Sequence, residues 1–424
     1  MKLIVKKSSL KGRIRIPSSK SQTIRALIIG SLASGESQIK NPLESSDTFS
    51  CVKMCRAFGA KIEMGTHWIV KGRGRDLKVP QNIIDIRNSG TSCRLGLGMA
   101  SLCEGYSVFT GDEQTRKRPM QSLINALNNL GAHVFSTREG GQLPVVVRGR
   151  MKGGVTEVDG VTSQFLSSLL ISSPLADRDS KICVSNLRER PYVEMTLSWL
   201  DRMGIEYKNR DFEEFEIKGG QSYKPFQEEM SGDFSSATFF FCAGSLSDSH
   251  IELEGLNMSD PQGDKKVIDV LRDLGASIDI APQLIEVRGG SPLQGGEFDL
   301  SNIPDALPSL AVTACIAEGK TVLKNVPQAR IKETDRIAVM KKELEKMGAQ
   351  IEEMPDGLII KKSPLKGTKV HGHSDHRVVM GLAVAGLVAE GVTEISTAEA
   401  IKITFPNFIT LMKNLGADMS LIDD

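Results

Sequence analysis

"LRDLGASIDI" (271–280) ends a charged, amphipathic run on an apolar residue, turns at Gly275 and continues as an alternating strand. A glycine there lets the chain enter the left-handed region without a Cβ penalty, a common way for a helix to close. The same phrase recurs as "CRAFGAKIEM" (55–64), "LNNLGAHVF" (127–135), "LDRMGIEYK" (200–208), "LEKMGAQIEEM" (344–354) and "MKNLGADMSL" (412–421). Its glycines, Gly59, Gly131, Gly204, Gly275, Gly348 and Gly416, are spaced by 72, 73, 71, 73 and 68 residues. A second phrase, a polar knot opening an apolar helix, keeps the same period. It reads "SSKSQTIRALI", "NSGTSCRLGL", "TSQFLSSLLI", "DFSSATFFFCAG", "PDALPSLAVTA" and "SDHRVVMGLAVAG". Its markers Lys20, Gly90, Ser163, Ser235, Asp305 and Asp375 lie 70, 73, 72, 70 and 70 apart. Two independent patterns at one period mark six structural repeats.

Each repeat holds one amphipathic surface helix, one nearly all-apolar helix and short strands such as "LPVVVRG", "LIEVRGG" and "GLIIKKS". Helices apolar on every side are buried on every side, so several must pack together beneath the sheets. Six repeats exceed one core, which assigns three to each of two domains, with the break near "SYKPFQEEMSGD" (222–233). The fold class is α/β, two similar domains of three repeats.

The 53 basic and 52 acidic residues nearly cancel, which argues against a general nucleic-acid or membrane surface. No apolar run is long enough to span a bilayer. The basic start "MKLIVKKSSLKG" has no apolar signal core. Seven scattered cysteines without a Cys-x-x-Cys pair read as buried free thiols in a reducing cytoplasm.

A buried helix must still satisfy its first N–H groups, and Ser, Thr, Asn and Asp do so. Capping accounts for the hydroxyls of the knots but not for Lys20, Arg25 or Arg377, since a helix N-terminus already carries partial positive charge. Cations there suit an incoming anion, on which N–H groups, hydroxyls and fixed charges converge. Small, highly charged ligands, phosphates above all, fit that pattern.

Three further stretches carry charge. "GDEQTRKRPM" (111–120) is either a solvated loop or an anion clamp. "QARIKETDRIAVMKKEL" (328–344) puts Lys332, Asp335 and Arg336 at helical spacings, with Lys332 and Glu333 at the helix start, where a carboxylate beside cations suits proton transfer. "HGHSDHRVVM" (371–380) matches no zinc-ligand spacing, and no metal is expected. Neither a phosphate-binding Gly-x-x-x-x-Gly-Lys loop nor a Gly-x-Ser-x-Gly elbow is present.

In order along the chain, "SSKSQTIRA", "RNSGTSCRL", "RKRPM", "TSQF", "RPYVEMT", "GDFSSA", "IPDA", "KETDR", "DHR" and "TFPNF" resemble the 5-enolpyruvylshikimate-3-phosphate (EPSP) synthase family end to end. The resemblance implies two domains, residues 1–16 with 230–424 and residues 17–229. Each is a pseudo-threefold set of βαβαββ units (an inside-out α/β barrel), with the substrates held in the cleft between them. It implies transfer of the enolpyruvyl group of phosphoenolpyruvate to the 5-hydroxyl of shikimate 3-phosphate, without metal or organic cofactor, in a cytoplasmic monomer. By the same resemblance Asp305 and Glu333 are the acid/base groups, with Lys20 and Lys332 beside them. Phosphoenolpyruvate is expected on Lys20, Asn88, Gly90, Thr91, Arg118, Gln164, Arg336, Arg377 and Lys402. Shikimate 3-phosphate is expected on Lys20, Ser21, Arg25, Thr162, Ser163, Gln164, Tyr192, Asp305, Gln328 and Lys332.

Four positions depart from the family pattern. Glu189 stands where Ser is common and is expected to repel a phosphate unless turned away. Lys402 precedes Ile403, the place of the usual lysine, a shift that on an extended segment reverses the side chain's face. Gln328 replaces a frequent Asn, and Leu95 a frequent Pro. The sister carboxyvinyltransferase acting on UDP-N-acetylglucosamine is the nearest rival, and a non-catalytic module of the same fold the other. Lys20-Ser21 in place of Lys-Asn, and no Cys in "GDEQTRKRP", count against the first; the presence of Asp305, Glu333 and the arginines counts against the second.

Overall fold

The computed structural model describes residues 1–246 and 248–423. The chain divides into two compact units, Met1–Pro17 with Ser231–Asp424, and Ser18–Met230. Among the described residues there are six four-stranded sheets, three in each unit. Every sheet has one parallel pair at an edge and two antiparallel pairings beyond it.

One repeat shows the rule. Strand Gly154–Asp159 leads into the apolar helix Ser163–Ser172 and returns as the parallel strand Ser180–Ser185. The surface helix Arg190–Arg202 and the antiparallel pair Tyr207–Arg210 and Glu214–Ile217 complete it. Parallel strands need a crossover, which the apolar helix supplies. The six glycines of the repeating phrase all close a helix at positive φ, from 68° at Gly204 to 100° at Gly275.

Three of the six sheets take a strand from a distant part of the chain. Gln227–Glu229 pairs with Glu36–Lys40 to complete the first sheet of the Ser18–Met230 unit. In the other unit Lys11–Arg15 pairs with His250–Glu254, while Lys2–Lys6 lies between Val392–Ser396 and Met419–Ile422. Each unit is therefore a permuted set of three βαβαββ repeats.

The apolar helices form the centre of each core. In the Ser18–Met230 unit, helix Gly90–Ala100 packs on both Lys20–Leu32 and Ser163–Ser172. A Cβ on Gly98 would meet the Ser168 and Ser172 hydroxyls at 2.5 and 2.4 Å, so glycine sets that helix spacing. In the second unit, helices Phe234–Leu246, Leu307–Ile316 and His376–Val388 pack pairwise. The sheets and surface helices cover them, which brings the polar knots to the starts of buried helices.

Candidate active site

Hydroxyl, carboxylate and amide side chains cap four of the six apolar helices, while Ser163–Ser172 and Leu307–Ile316 start without a side-chain capping bond. Ser19 accepts from Gln22 N, Ser89 from Ser92 N, and Asp375 from Arg377 N and Val378 N. Helix Phe234–Leu246 is held by Asp233, which accepts from Ser235 N, and by Gln262, which accepts from Phe234 N.

In the Ser18–Met230 unit the cations of the knots already have partners inside the fold. Lys20 Nζ lies 3.2 Å from Asp47, on the following surface helix Ser46–Ala57. Arg25, 2% exposed, donates to the carbonyls of Ser21 and Tyr192 and to the hydroxyls of Thr196 and Ser167. It thereby ties helix Lys20–Leu32 to Ser163–Ser172 and Arg190–Arg202, holding Ser21, Ser167 and Tyr192 around it.

Gly90 begins the next apolar helix, and Arg118 lies directly over it. A Cβ at position 90 would stand 2.4 Å from Arg118 Nη1. Of the three basic residues in "RKR", Arg118 is buried, while Lys117 is exposed and pairs with Glu113. Asn88 Nδ2 donates to Asp112 and to Gln114, clamping the loop that delivers Arg118. Gln164 donates to Thr91 Oγ1 and accepts from Arg94 Nη1, whose guanidinium also lies over the Phe165 ring. Arg94 and Asp47 went unassigned at the level of sequence. The available signal for Arg94 was a lone cation four residues into an otherwise apolar helix.

The Glu189 carboxylate is buried and accepts from Ser163 Oγ at 2.9 Å. Thr162 stands at the N-cap of helix Ser163–Ser172. Leu95 is buried in the apolar helix.

In the other unit a charged cluster surrounds one arginine. Arg336 donates through Nε to Asp375 (2.9 Å), through Nη1 to Asp305 (2.8 Å) and through Nη2 to Glu333 (2.6 Å). Burial alone would disfavour its charge, but Asp375, Glu333 and Asp305 outweigh that and keep it fully ionised. Arg377 Nη2 lies 3.1 Å from the second oxygen of Asp305. Burial would raise the Asp305 pKa, yet Arg377, Lys332 and Arg336 hold it well below the usual carboxylate range.

The "KETDR" run folds differently from its helical spacing. Asp335 is an N-cap accepting from Ala338 N, and the helix spans Arg336–Lys346. Lys332 and Glu333 precede the helix, so Arg336 faces the buried carboxylates instead of forming surface pairs along it. Thr334 donates to Asp375. Gln328 is buried and donates to the Ser301 carbonyl. Lys402 is exposed and lies in the 3-10 turn Ala398–Ile403. A one-residue shift there rotates the side chain by about a third of a turn and does not reverse it.

The histidine run is engaged in local structure. His373 Nε2 lies 3.0 Å from Glu343, and the His371 ring nitrogen Nδ1 accepts from His373 N. Elsewhere, on one sheet, His250, Glu252 and Glu286 approach one another, with both carboxylates also on Arg13 and Arg288.

Several known proteins are similar to this chain along its whole length. The sequence profile for EPSP synthase (3-phosphoshikimate 1-carboxyvinyltransferase) matches residues 4–412. A protein of Acetivibrio thermocellus named 3-phosphoshikimate 1-carboxyvinyltransferase is 53% identical, over 99% of both chains. One of the same name from Methanocaldococcus jannaschii is 44% identical, also over 99% of both. The solved EPSP synthase of Acinetobacter baumannii superposes with TM-score 0.83 at 28% identity, covering all of both chains. The enolpyruvyl transferase NikO of Streptomyces tendae shares the fold, with TM-score 0.81 at 18% identity over 99% of this chain and 98% of its own. The chain belongs to the EPSP synthase (3-phosphoshikimate 1-carboxyvinyltransferase) family.

Proposed function

We propose that the protein transfers the 1-carboxyvinyl group of phosphoenolpyruvate to the 5-hydroxyl of shikimate 3-phosphate, releasing phosphate. The observation that carries the assignment of roles is the buried cluster in which Asp305 and Glu333 share Arg336, with Arg377 on the far side of Asp305. Two carboxylates and two guanidiniums in mutual contact can exchange partners when a trianionic donor arrives.

The chemistry needs two proton transfers in each direction. Asp305 takes the proton of the 5-hydroxyl as its oxygen bonds to C2 of the donor, while C3 gains a proton and a tetrahedral ketal forms. Elimination then breaks the bond from C2 to the phosphate oxygen, the departing phosphate takes the proton that Asp305 holds, and C3 returns its proton to the protein. Glu333, flanked by Lys332, serves the carbon, and Lys20 adds charge and a proton reservoir. In the ligand-free cluster Asp305 is a weak base, because three cations favour its ionised form. The donor's carboxylate and phosphate would draw on Arg377, Arg336 and Lys332, relieving Asp305 and raising its basicity when a base is needed.

Arg118, Gly90, Asn88, Thr91, Gln164 and Lys402 complete the donor set in this proposal. Ser21, Arg25, Thr162, Ser163, Gln164, Tyr192 and Gln328 receive the acceptor. Bidentate guanidinium contacts suit the carboxylate and phosphate groups of both substrates. The reading includes a monomer in the cytoplasm, supported by seven free cysteines; no helix among the described residues is long and apolar enough to cross a membrane.

Phosphate release from phosphoenolpyruvate, followed with EDTA present, tests the function. Release that requires shikimate 3-phosphate supports it. Release only with UDP-N-acetylglucosamine moves the protein to the sister activity, and none with either acceptor leaves a binding module. Asp305→Asn and Glu333→Gln are each expected to lower kcat by about 10²–10⁴-fold, the usual worth of a general acid or base.

A further inference from the structure

Helix Arg190–Arg202 begins on Glu189, whose φ of 55° lies in the left-handed region and whose side chain makes no capping bond. A non-glycine residue there is uncommon. The side chain is 3% exposed and reaches instead to the start of helix Ser163–Ser172, where Oε2 accepts from Ser163 Oγ. Tyr192 N donates to the Glu189 carbonyl, and the Tyr192 carbonyl takes a bond from Arg25. Glu189 is thus joined to Ser163, Tyr192 and, through Tyr192, Arg25, which the proposed function gives to the acceptor; the inference rests on that reading and takes Ser163 as a partner of the acceptor's phosphate.

The elements of its unit packed near Glu189 differ in the charge they bring. Helix Lys20–Leu32 contributes Arg25 and Lys20, the latter paired with Asp47. Helix Ser163–Ser172 contributes none. On its own helix Arg190 is stacked over Phe212, Tyr192 is half-buried and Glu194 is exposed. Arg188, on the preceding loop, is exposed, and Asp159 accepts from Val161 N. A phosphate dianion arriving on Ser163 therefore meets a carboxylate within hydrogen-bond reach of the same hydroxyl. Two like charges that close repel, which favours the protonated form of one of them.

We propose that Glu189 makes acceptor binding proton-linked. The carboxylate gains one proton from solvent as the phosphate takes the Ser163 hydroxyl, and the resulting carboxylic acid donates to a phosphate oxygen. One proton enters with each acceptor, so affinity for the dianion weakens by up to about tenfold per pH unit. Below the second phosphate pKa, about 6, the substrate brings its own proton and the dependence fades.

Calorimetric titration of the whole enzyme with shikimate 3-phosphate at pH 8, in buffers of different ionisation enthalpy, counts the protons directly. Close to one proton taken up by the wild type and close to none by Glu189→Gln is the expected result. The amide can accept from Ser163 and donate to phosphate without titrating. The KM for shikimate 3-phosphate should then rise steeply from pH 7 to 9 in the wild type and stay nearly flat in Glu189→Gln. Equal proton counts in the two proteins, with acceptor binding still weakened by Ser163→Ala, would overturn the role of Glu189 alone. Acceptor binding indifferent to both substitutions would overturn the placement of the acceptor as well.

Discussion

Arg336 is 1% exposed and shared by three carboxylates, so its loss takes a cation from the fully buried Asp375 and from the half-buried Asp305 and Glu333. Arg336→Ala should cost about 3–5 kcal/mol, the usual effect of removing one partner from a buried ion pair, read as a lower urea midpoint. Gly90 carries the opposite case, a large functional effect at small structural cost. The Cβ of Gly90→Ala would collide with the terminal nitrogen of Arg118, a flexible end that can move aside. The KM for phosphoenolpyruvate should rise about tenfold or more, the worth of one charge-assisted hydrogen bond, with the melting temperature almost unchanged. Cys93, Cys242 and Cys315 have thiols pushed up to about 12 by burial. They should resist iodoacetamide at pH 8 in the native protein and react after unfolding. At this scale the sequence marked the cations as unusual in apolar helices, and the fold supplies Lys20 and Arg25 with internal partners. Nothing in the sequence signalled that Asp47 would answer Lys20, or that Glu189 would lie on Ser163, because those pairs span 27 and 26 residues and exist only once helices pack.

The surface helix Arg336–Lys346 is anchored at both ends of its inner face. Asp335 caps its start, and Glu343 is buried further along it, taking bonds from Lys346, His373 and His371 N. Burial would raise the Glu343 pKa, but the bonds from Lys346, His373 and the His371 amide lower it overall. A carboxyl with a depressed folded pKa stabilises fully above its unfolded value, about 4.3, and loses that contribution as pH falls through the folded one. Glu343→Gln should therefore lower stability at pH 7 by about 2 kcal/mol, with the gap to wild type closing as pH falls below about 4. Urea titrations across that range check it. The "KETDR" run shows why helix starts are hard to read from spacing. Its charges sit at helical intervals, yet the half-buried carboxylate of Asp305 and the buried one of Asp375 draw Arg336 inward, and Asp335 ends up as the cap.

At the scale of the whole chain, all the strands of the Ser18–Met230 unit's sheets lie between those residues, whereas two sheets of the other unit depend on the first 15 residues. Residues 18–230 should fold alone with one cooperative denaturant transition, while 231–424 alone should not. Lys2 pairs with Ile422, so a permutant joining 231–424 to 1–17 through a short Gly/Ser linker should recover that transition. Six repeats, their two helix types and the glycine that ends each surface helix were legible in the sequence alone. They follow from local physics: periodicity sets which helix face is buried, and only glycine turns cheaply at positive φ. The motifs also sufficed to identify the family. Which strands close which sheets, and which carboxylate neutralises which cation, was decided only by tertiary structure. Those pairings join residues up to 420 positions apart, and no local preference encodes them; they arise when buried charge and open sheet edges must find partners as the core closes.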